Sequence, residues 1–304
     1  MKRIYDLYKI RRLTAAIGVF DGVHRGHQKI FKRLVRESAR FKTKSAVITF
    51  HPHPREVLNP AVKIPLLASL KHRIQLIGGL GIDFCIVIKF TRSLSMMKAD
   101  EFIEKVLVNK LGVGTLVVGK NFLFGADRKG SFSTLKKISR YYGFRVIGVT
   151  PVKMEGSYIS STRIRKAIEK GELKKASLML GRPVTVLGTV IKGRRLGRLL
   201  GFPTANISPH HEAIPPSGVY AADVRIRKRP YMGILNIGTR PTVSEDREPT
   251  IELHIFNFRK NIYGKDVEIT FRKKIRNEKR FLSVGALRRQ VIKDISSVKR
   301  SLNI

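Results

Sequence analysis

At 304 residues, with 42% hydrophobic and 27% charged side chains, the chain has an ordinary globular composition and a length that suits two domains, each with its own core. No apolar run approaches the roughly 20 residues needed to cross a bilayer, and the single cysteine, Cys85 in the run FCIVI, excludes an internal disulfide, a multi-thiolate zinc site and an iron–sulfur cluster. The abnormal number is the charge: 61 Lys and Arg against 22 Asp and Glu leave +39, a field that attracts polyanions without selecting one.

The basic residues are dispersed along the chain, with no Lys/Arg-only tail, no RNP-type aromatic motif and no zinc-finger spacing, so no specific nucleic-acid partner is expected. Self-repulsion disfavours assembly through the cationic surface at low salt, and the oligomeric state is not legible. The stretch MKRIYDLYKIRRLTAAIGVF is basic, but its apolar portion is short and broken by Gly18; it lacks a signal-peptide h-region and cleavage site, and a cytoplasmic location with no membrane partner is expected.

In chain order, the first half alternates short β-branched runs with amphipathic stretches: AAIGVF, HQKIFKRLVRESARF, SAVITF, FCIVI, ADEFIEKVLVNKL, TLVVG and FRVIGV. Phe102, Ile103, Val106, Leu107 and Leu111 recur at three- and four-residue spacings and predict one apolar helix face. This rhythm predicts an α/β, Rossmann-like domain: a parallel sheet covered by helices, with ligands at the carboxyl ends of the strands.

The strand-to-helix junctions carry the chemistry. Gly18 to His27, GVFDGVHRGH, follows a strand and opens a helix, so backbone N–H groups and the helix dipole form an anion site beside His24 and His27. Histidines there can donate hydrogen bonds to phosphate oxygens as charge develops in nucleotidyl transfer; a Gly-rich turn with two surface histidines would read similarly, although the ten-residue context is more specific than HxGH alone. TFHPHP ends the next strand and puts His51, Pro52 and His53 at the same edge, either as metal ligands or, as the stiff prolines favour, as the wall of a nucleotide pocket. In VVGKNFLFG, Phe122 and Phe124 face a ring system or are core aromatics beneath a loop. ISSTRIR opens a helix with a Ser or Thr cap and sets Arg163 and Arg165 where they can clamp a triphosphate.

After STRIRKAIEKGELKKASLMLGRP the rhythm changes, placing a domain boundary near 181, between units 1–180 and 181–304. The runs PVTVLGTVI, GVYAADVRI, YMGILNIG, TIELHIF and DVEITF, with a last helix carrying Leu287, Val291, Ile295 and Val298, predict a small antiparallel β-barrel with a helix packed on it. The glycine- and arginine-rich segment from Gly193 to Asn206 can hold phosphates, and Thr204 and Asn206 offer neutral oxygens suited to Mg²⁺; Pro-Thr-Ala-Asn in isolation reads as a turn. Strand alternation sets Ile251, Leu253 and Ile255 on one face and Glu252, His254 and Phe256 on the other, so Glu252 is either a general base or a solvated carboxylate paired with a nearby cation.

In their order and spacing, GVFDGVHRGH, TFHPHP, VVGKNFLFG and ISSTRIR, then LGFPTAN, Gly218–Tyr220, Asn236 to Thr242, Glu252 to Phe258, Tyr263–Gly264, Arg276 with Glu278, and Asp294 resemble the bacterial bifunctional riboflavin kinase/FMN adenylyltransferase (FAD synthetase) family over nearly the whole chain. The resemblance implies two ATP-dependent, Mg²⁺-requiring transfers, riboflavin to FMN in the barrel and FMN to FAD in the first domain. It implies that His24 and His27, with Gly18, Phe20, Asp21, Gly26, Asn121, Ser161, Thr162, Arg163 and Arg165, serve the ATP phosphates of adenylylation. His51, Pro52, His53, Phe122, Phe124 and Arg276 are the implied flavin contacts. Gly193, Arg195, Gly197, Arg198, Gly201, Pro203, Thr204 and Asn206 are the implied kinase ATP site, Thr204 and Asn206 the Mg²⁺ ligands, and Glu252 the base toward the riboflavin 5′-hydroxyl. Tyr158 stands where members often carry a basic residue, Val184 where an aromatic is usual, and Asn257 where Asp often precedes Phe. Nothing reads as a tunnel, so FMN is expected to leave one site before entering the other.

Overall fold

The computed structural model describes residues 1–4, 12–61, 64–193, 197, 201–227, 229–239 and 249–302. It divides into two compact units, Met1–Arg163 and Ile164–Ile304.

The first unit is built on a six-stranded sheet of order β1-β4-β3-β2-β5-β6: β1 (Lys2–Ile4), β2 (Leu13–Ile17), β3 (Ser45–His51), β4 (Phe84–Lys89), β5 (Val113–Gly119) and β6 (Arg145–Val149). Every pairing is parallel. The central strands β2 to β5 are largely apolar runs because both sheet faces are covered there. Leu13, Ala15 and Ile17 enter one core with Ile48, Leu107 and Leu116; Ala16 enters the other with Val47, Cys85 and Val117, as period-two alternation requires. The second core is closed by Phe31 and Leu34 of α1 (Arg25–Arg40) and Ile77 of α3 (Leu70–Gly78); α2 (Pro54–Leu58) precedes α3.

Beyond β4 come α4 (Arg92–Met96) and α5 (Ala99–Phe102), which continues as a π-helix over Ile103–Lys110. The apolar face expected there is buried, but the chain is wound wider than the α-helix its spacing predicts: the Leu111 N–H donates to the Val106 carbonyl, five residues back. A side-chain pattern fixes which face is buried and leaves one residue of slack in the winding. Then follow α6 (Phe132–Tyr141) and a small antiparallel hairpin, β7 (Lys153–Met154) and β8 (Ser157–Tyr158).

The helices α7 (Ser161–Glu169) and α8 (Leu173–Leu180) lead into a closed barrel of order β10-β13-β12-β11-β14-β9. Its strands are β9 (Thr185–Ile191), β10 (Ala205–Ser208), β11 (Gly218–Ile226), β12 (Arg229–Thr239), β13 (Pro249–Ile255) and β14 (Asp266–Arg276), all antiparallel neighbours. The C-terminal helix α9 (Val284–Leu302) packs Val298 and Ile295 against Val219, Ala221, Ile234 and Phe256. The α/β domain, the barrel and the final helix are therefore as expected from the sequence. β10 is a difference, since Asn206 interrupts the apolar alternation and the segment reads as a turn. Pairing with β9 and β13 makes it a strand.

Candidate active sites

In the first unit, β2 lies between β3 and β5, so the chain leaves the sheet in opposite directions on its two sides, and the crevice at the carboxyl end of β2 is the switch point where α/β sheets take ligands. The segment Gly18–His27 occupies it. Its backbone is strained: Phe20 and Val23 are left-handed at φ 53° and 44°, a conformation β-branched valine rarely adopts. Such a loop survives only if its surroundings over-determine it, and they do. Asp21 is buried and its Oδ1 accepts from the N–H groups of Leu67 (2.9 Å) and Ala68 (3.1 Å). The Val19 carbonyl accepts from Thr49 Oγ1 (3.0 Å) and from Arg73 Nη1 (2.5 Å). Arg73 Nη2 donates to the Phe50 carbonyl (3.1 Å), so this buried guanidinium ties the ends of β2 and β3 together.

The loop delivers its two imidazoles stacked, ring centroids 3.5 Å apart, at the first turn of α1. Gly26 permits this, since a Cβ there would meet the His24 ring at 3.0 Å. His27 also meets the edge of Phe20 at 5.2 Å. Burial, then the neighbouring His24 and the Arg73 charge, holds the His27 pKa well below the usual histidine range, so the ring is a neutral hydrogen-bonding group at physiological pH.

The second signature meets the first: Ser161 Oγ donates to the Asp21 carbonyl at 3.0 Å, and Ser160 Oγ caps α7 by accepting from the Arg163 N–H at 3.3 Å. Thr162 is exposed beside Ser161. Arg163 is engaged with the hairpin, its Nη1 donating to the carbonyls of Met154, Ser157 and Tyr158. Arg165 is buried one turn further along. Tyr158 brings a cation with it, since its cross-strand partner Lys153 sets Nζ 5.1 Å from the ring centroid.

The expected flavin wall is partly structural. His51 is exposed at the end of β3, with half-buried Pro52 after it. His53 is buried and caps α2, its Nδ1 accepting from the Arg55 N–H while its own N–H donates to Glu56. Phe122 and Phe124 stack at 5.5 Å and 8° and pack on the core, half-buried, while Asn121 turns its Oδ1 back over Gly119 at the end of β5.

In the barrel, the alternation expected for β13 holds: Ile251, Leu253 and Ile255 are buried, Glu252, His254 and Phe256 half-buried on the other face. Glu252 lies opposite Asn206 of β10 on one side and Asn236 of β12 on the other, and directly opposed residues of antiparallel strands share a face. The row runs on through Val219 to Arg276. Two residues along β13, His254 Nδ1 lies 2.9 Å from the Pro203 carbonyl, and its ring meets the edge of Phe202 at 5.9 Å, pinning the FPTAN segment over the strand. Pro203 and Gly201 are exposed; Thr204 and Asn206 are half-buried.

Gly193 approaches Asn206 so closely that a Cβ there would clash with Nδ2, and a Cβ at Gly197 would lie 2.8 Å from Thr204 Oγ1. The polar groups of Thr204 and Asn206 thus face Gly197 and Gly193, which carry no side chain. Hard, neutral oxygens beside one carboxylate fit Mg²⁺ carried in with a polyphosphate, and no cluster of three His, Cys, Asp or Glu competes for a metal among the described residues. Arg195 and Arg198, and Pro241 and Thr242 of the NIGTRPT motif, lie outside the described residues. Half-buried Arg276 forms a two-pronged ion pair with buried Asp294 of α9, at 2.8 to 3.0 Å, and its Nη1 donates to the Asn277 carbonyl, which braces the segment after β14.

Two contributors went unread in the sequence. Arg73 was discernible as a cation at helical spacing from Leu70 and Ile77, on the apolar face of its helix. Asn236 was noted only as part of a motif; its place beside Glu252 follows from strand register, which a single strand does not disclose.

A family model described as FAD synthetase matches residues 8–163, and one described as riboflavin kinase matches residues 180–302. The chain is 37% identical to a bifunctional riboflavin kinase/FMN adenylyltransferase of Buchnera aphidicola, over 100% of this chain and 99% of that one. It is 39% identical to the enzyme of that description from Haemophilus influenzae, over 100% of both. Among solved structures, one from Streptococcus pneumoniae described as a macrolide-efflux protein superposes with a TM-score of 0.83 at 30% identity, covering 98% of each chain. In the present chain no helix among the described residues is long and apolar enough to cross a membrane. On both of its domain matches and its full-length relatives, the chain belongs to the bifunctional riboflavin kinase/FMN adenylyltransferase family.

Proposed function

We propose that the chain makes both flavin cofactors in sequence, with residues 181–304 phosphorylating riboflavin to FMN and residues 1–180 adenylylating FMN to FAD. The observation that carries this reading is that each unit has its own constellation: stacked His24 and His27 beside Ser161 in one, Glu252 flanked by Asn206 and Asn236 in the other.

In the kinase step, Glu252 accepts the proton of the riboflavin 5′-hydroxyl as that oxygen bonds to the γ-phosphorus of ATP and the bond to the leaving ADP breaks. Thr204 Oγ1 and Asn206 Oδ1 are the groups that would hold Mg²⁺, which supplies neutralisation of the phosphate charge. Gly193, Gly197 and Gly201, with Arg195 and Arg198, give the triphosphate a close backbone and cationic approach, and Pro203 fixes the segment against His254. Arg276 acts through the loop it braces, on the flavin side.

In the adenylyl step, an FMN phosphate oxygen attacks the α-phosphorus of ATP and pyrophosphate leaves. His24 and His27 donate hydrogen bonds where charge develops, with the dipole of α1 as a fixed partner. Phe20 and Asp21 hold that loop in shape. Ser161, Thr162 and Arg165 serve the phosphates, Arg163 sets the hairpin, and Asn121 sits toward the nucleotide. His51, Pro52, Phe122 and Phe124 line the flavin side, and His53 fixes the turn below them. The enzyme works in the cytoplasm, where ATP and riboflavin are available, with no specific nucleic-acid partner needed for either step.

Incubation of the purified protein with riboflavin, ATP and Mg²⁺, followed by chromatography of the flavins, tests the reading. FMN and FAD should both accumulate. FMN alone would leave the first domain without its assigned activity, and no conversion would overturn the proposal.

A further inference from the structure

At the edge of the first unit's sheet opposite the Gly18 crevice, the last turns of α1 and α6 and the start of β6 enclose a concavity of about 510 Å³, lined by Arg33, Arg40, Phe41, Lys136, Arg140 and Arg145 around Glu37. We propose that this concavity binds the phosphodiester backbone of single-stranded nucleic acid, independently of the two flavin sites.

The charge there exceeds what the fold needs. Helix ends carry about −0.5 charge each, so the carboxyl ends of α1 and α6 account for about one lining cation, and Glu37 for one more. Glu37 is buried and holds Arg33 Nε at 2.6 Å, with Arg36 and Arg40 at 3.8 and 3.9 Å. About three positive charges are left facing solvent, and Arg40, Lys136, Arg140 and Arg145 are exposed. The arginines are also pre-arranged. Arg145 lies 4.4 Å and Arg40 5.5 Å from the Phe41 ring centroid, so one aromatic ring orders two guanidinium groups.

Long cations around an aromatic ring, with helix carboxyl ends rather than amide-bearing amino ends beneath them, lack the N–H cradle that selects a lone phosphate. They suit a run of phosphates, with a base stacking on guanidinium or ring. The overall +39 would draw any such strand to the protein, and this concavity gives it a place to settle.

The test is fluorescence anisotropy with labelled 20-nucleotide oligo-U and oligo-dT across a salt series, on the full chain. The triple variant Arg40→Ala/Arg140→Ala/Arg145→Ala is compared with a control, Lys170→Ala/Lys174→Ala/Arg229→Ala, that removes equal charge from exposed positions elsewhere. Losing three phosphate contacts should flatten the slope of log affinity against log salt by about 2, and weaken binding at least about tenfold at 150 mM salt, against under threefold for the control. Both oligonucleotides should bind alike, and riboflavin phosphorylation and FAD formation should be unchanged in either variant. If Arg145→Ala lowers folding yield by removing the Phe41 stack, Lys136→Ala/Arg140→Ala carries the same comparison with a slope change of about 1.4. Equal losses in the two triples would show that only diffuse charge is at work, a tenfold preference between oligonucleotides would contradict backbone binding, and no binding by the unaltered protein would end the proposal.

Discussion

Arg73→Met tests whether the strained Gly18–His27 loop is held by its surroundings. The substitution keeps most of the side-chain bulk and removes a buried guanidinium that donates to the carbonyls of Val19 and Phe50. Charge-assisted hydrogen bonds contribute about 1.5–3 kcal/mol each. Val19 keeps its bond from Thr49, so the larger loss is at Phe50. Against this stands relief of the buried charge, whose cost is visible in the Arg73 pKa, drawn down chiefly by burial. The net destabilisation is therefore nearer 2 kcal/mol than the sum of two bonds, a melting shift of roughly 4–8 °C for a unit of this size.

If the same 2 kcal/mol is lost from loop positioning, FAD formation from FMN falls about 30-fold in kcat/KM, while riboflavin phosphorylation in the barrel is unchanged. Removing the cation also lifts one of the influences that depress the His27 pKa, so the acid limb of FAD formation moves to higher pH. Thermal melts and separate assays of the two steps measure this. FAD formation within threefold of the unaltered protein, or a parallel fall in riboflavin phosphorylation, would refute the reasoning.

In the barrel, Asp294→Ala takes the carboxylate from the Arg276 guanidinium, only 15% exposed, leaving it the Asn277 carbonyl, and removes a partner of Gln290. Loss of one member of such a pair costs about 3–5 kcal/mol, and riboflavin phosphorylation should fall with the melting point while FAD formation from FMN persists; a change under 1 kcal/mol in a thermal melt would contradict the bracing role. Because the His27 pKa is depressed in the folded chain, the unfolded chain binds a proton below about pH 6.5 that the folded chain does not, so stability of the first unit declines as pH falls from 6.5. His27→Gln should flatten that slope in melts between pH 5 and 7.5, and an unchanged slope would remove His27 as its source.

Much of this architecture was legible because it is written in local pattern. The runs around Ala15, Val47, Ile86, Val117 and Ile147 are apolar on both faces, which only a doubly covered parallel sheet explains, and β13 shows its two faces by alternation. The order of strands was legible only as a rule of connection, not as a register. Hence Glu252 was readable as facing away from the core, while its flanking by Asn206 and Asn236 was not. Sequence motifs also carry scaffold residues. Within GVFDGVHRGH, TFHPHP and ISSTRIR, the side chains of Asp21, His53 and Arg163 are engaged with nearby backbone, supporting the turns that present His24, His27 and Ser161. A motif records what a site needs, scaffold and chemistry together, and only geometry separates the two.

Glu252→Gln and His27→Ala, each supplied first with riboflavin and then with FMN in the presence of ATP and Mg²⁺, put the two-site account to its most direct test. Glu252→Gln should fail to phosphorylate riboflavin yet still convert FMN to FAD, and His27→Ala should convert riboflavin to FMN and stop there. Loss of both activities in each variant would contradict two independent sites.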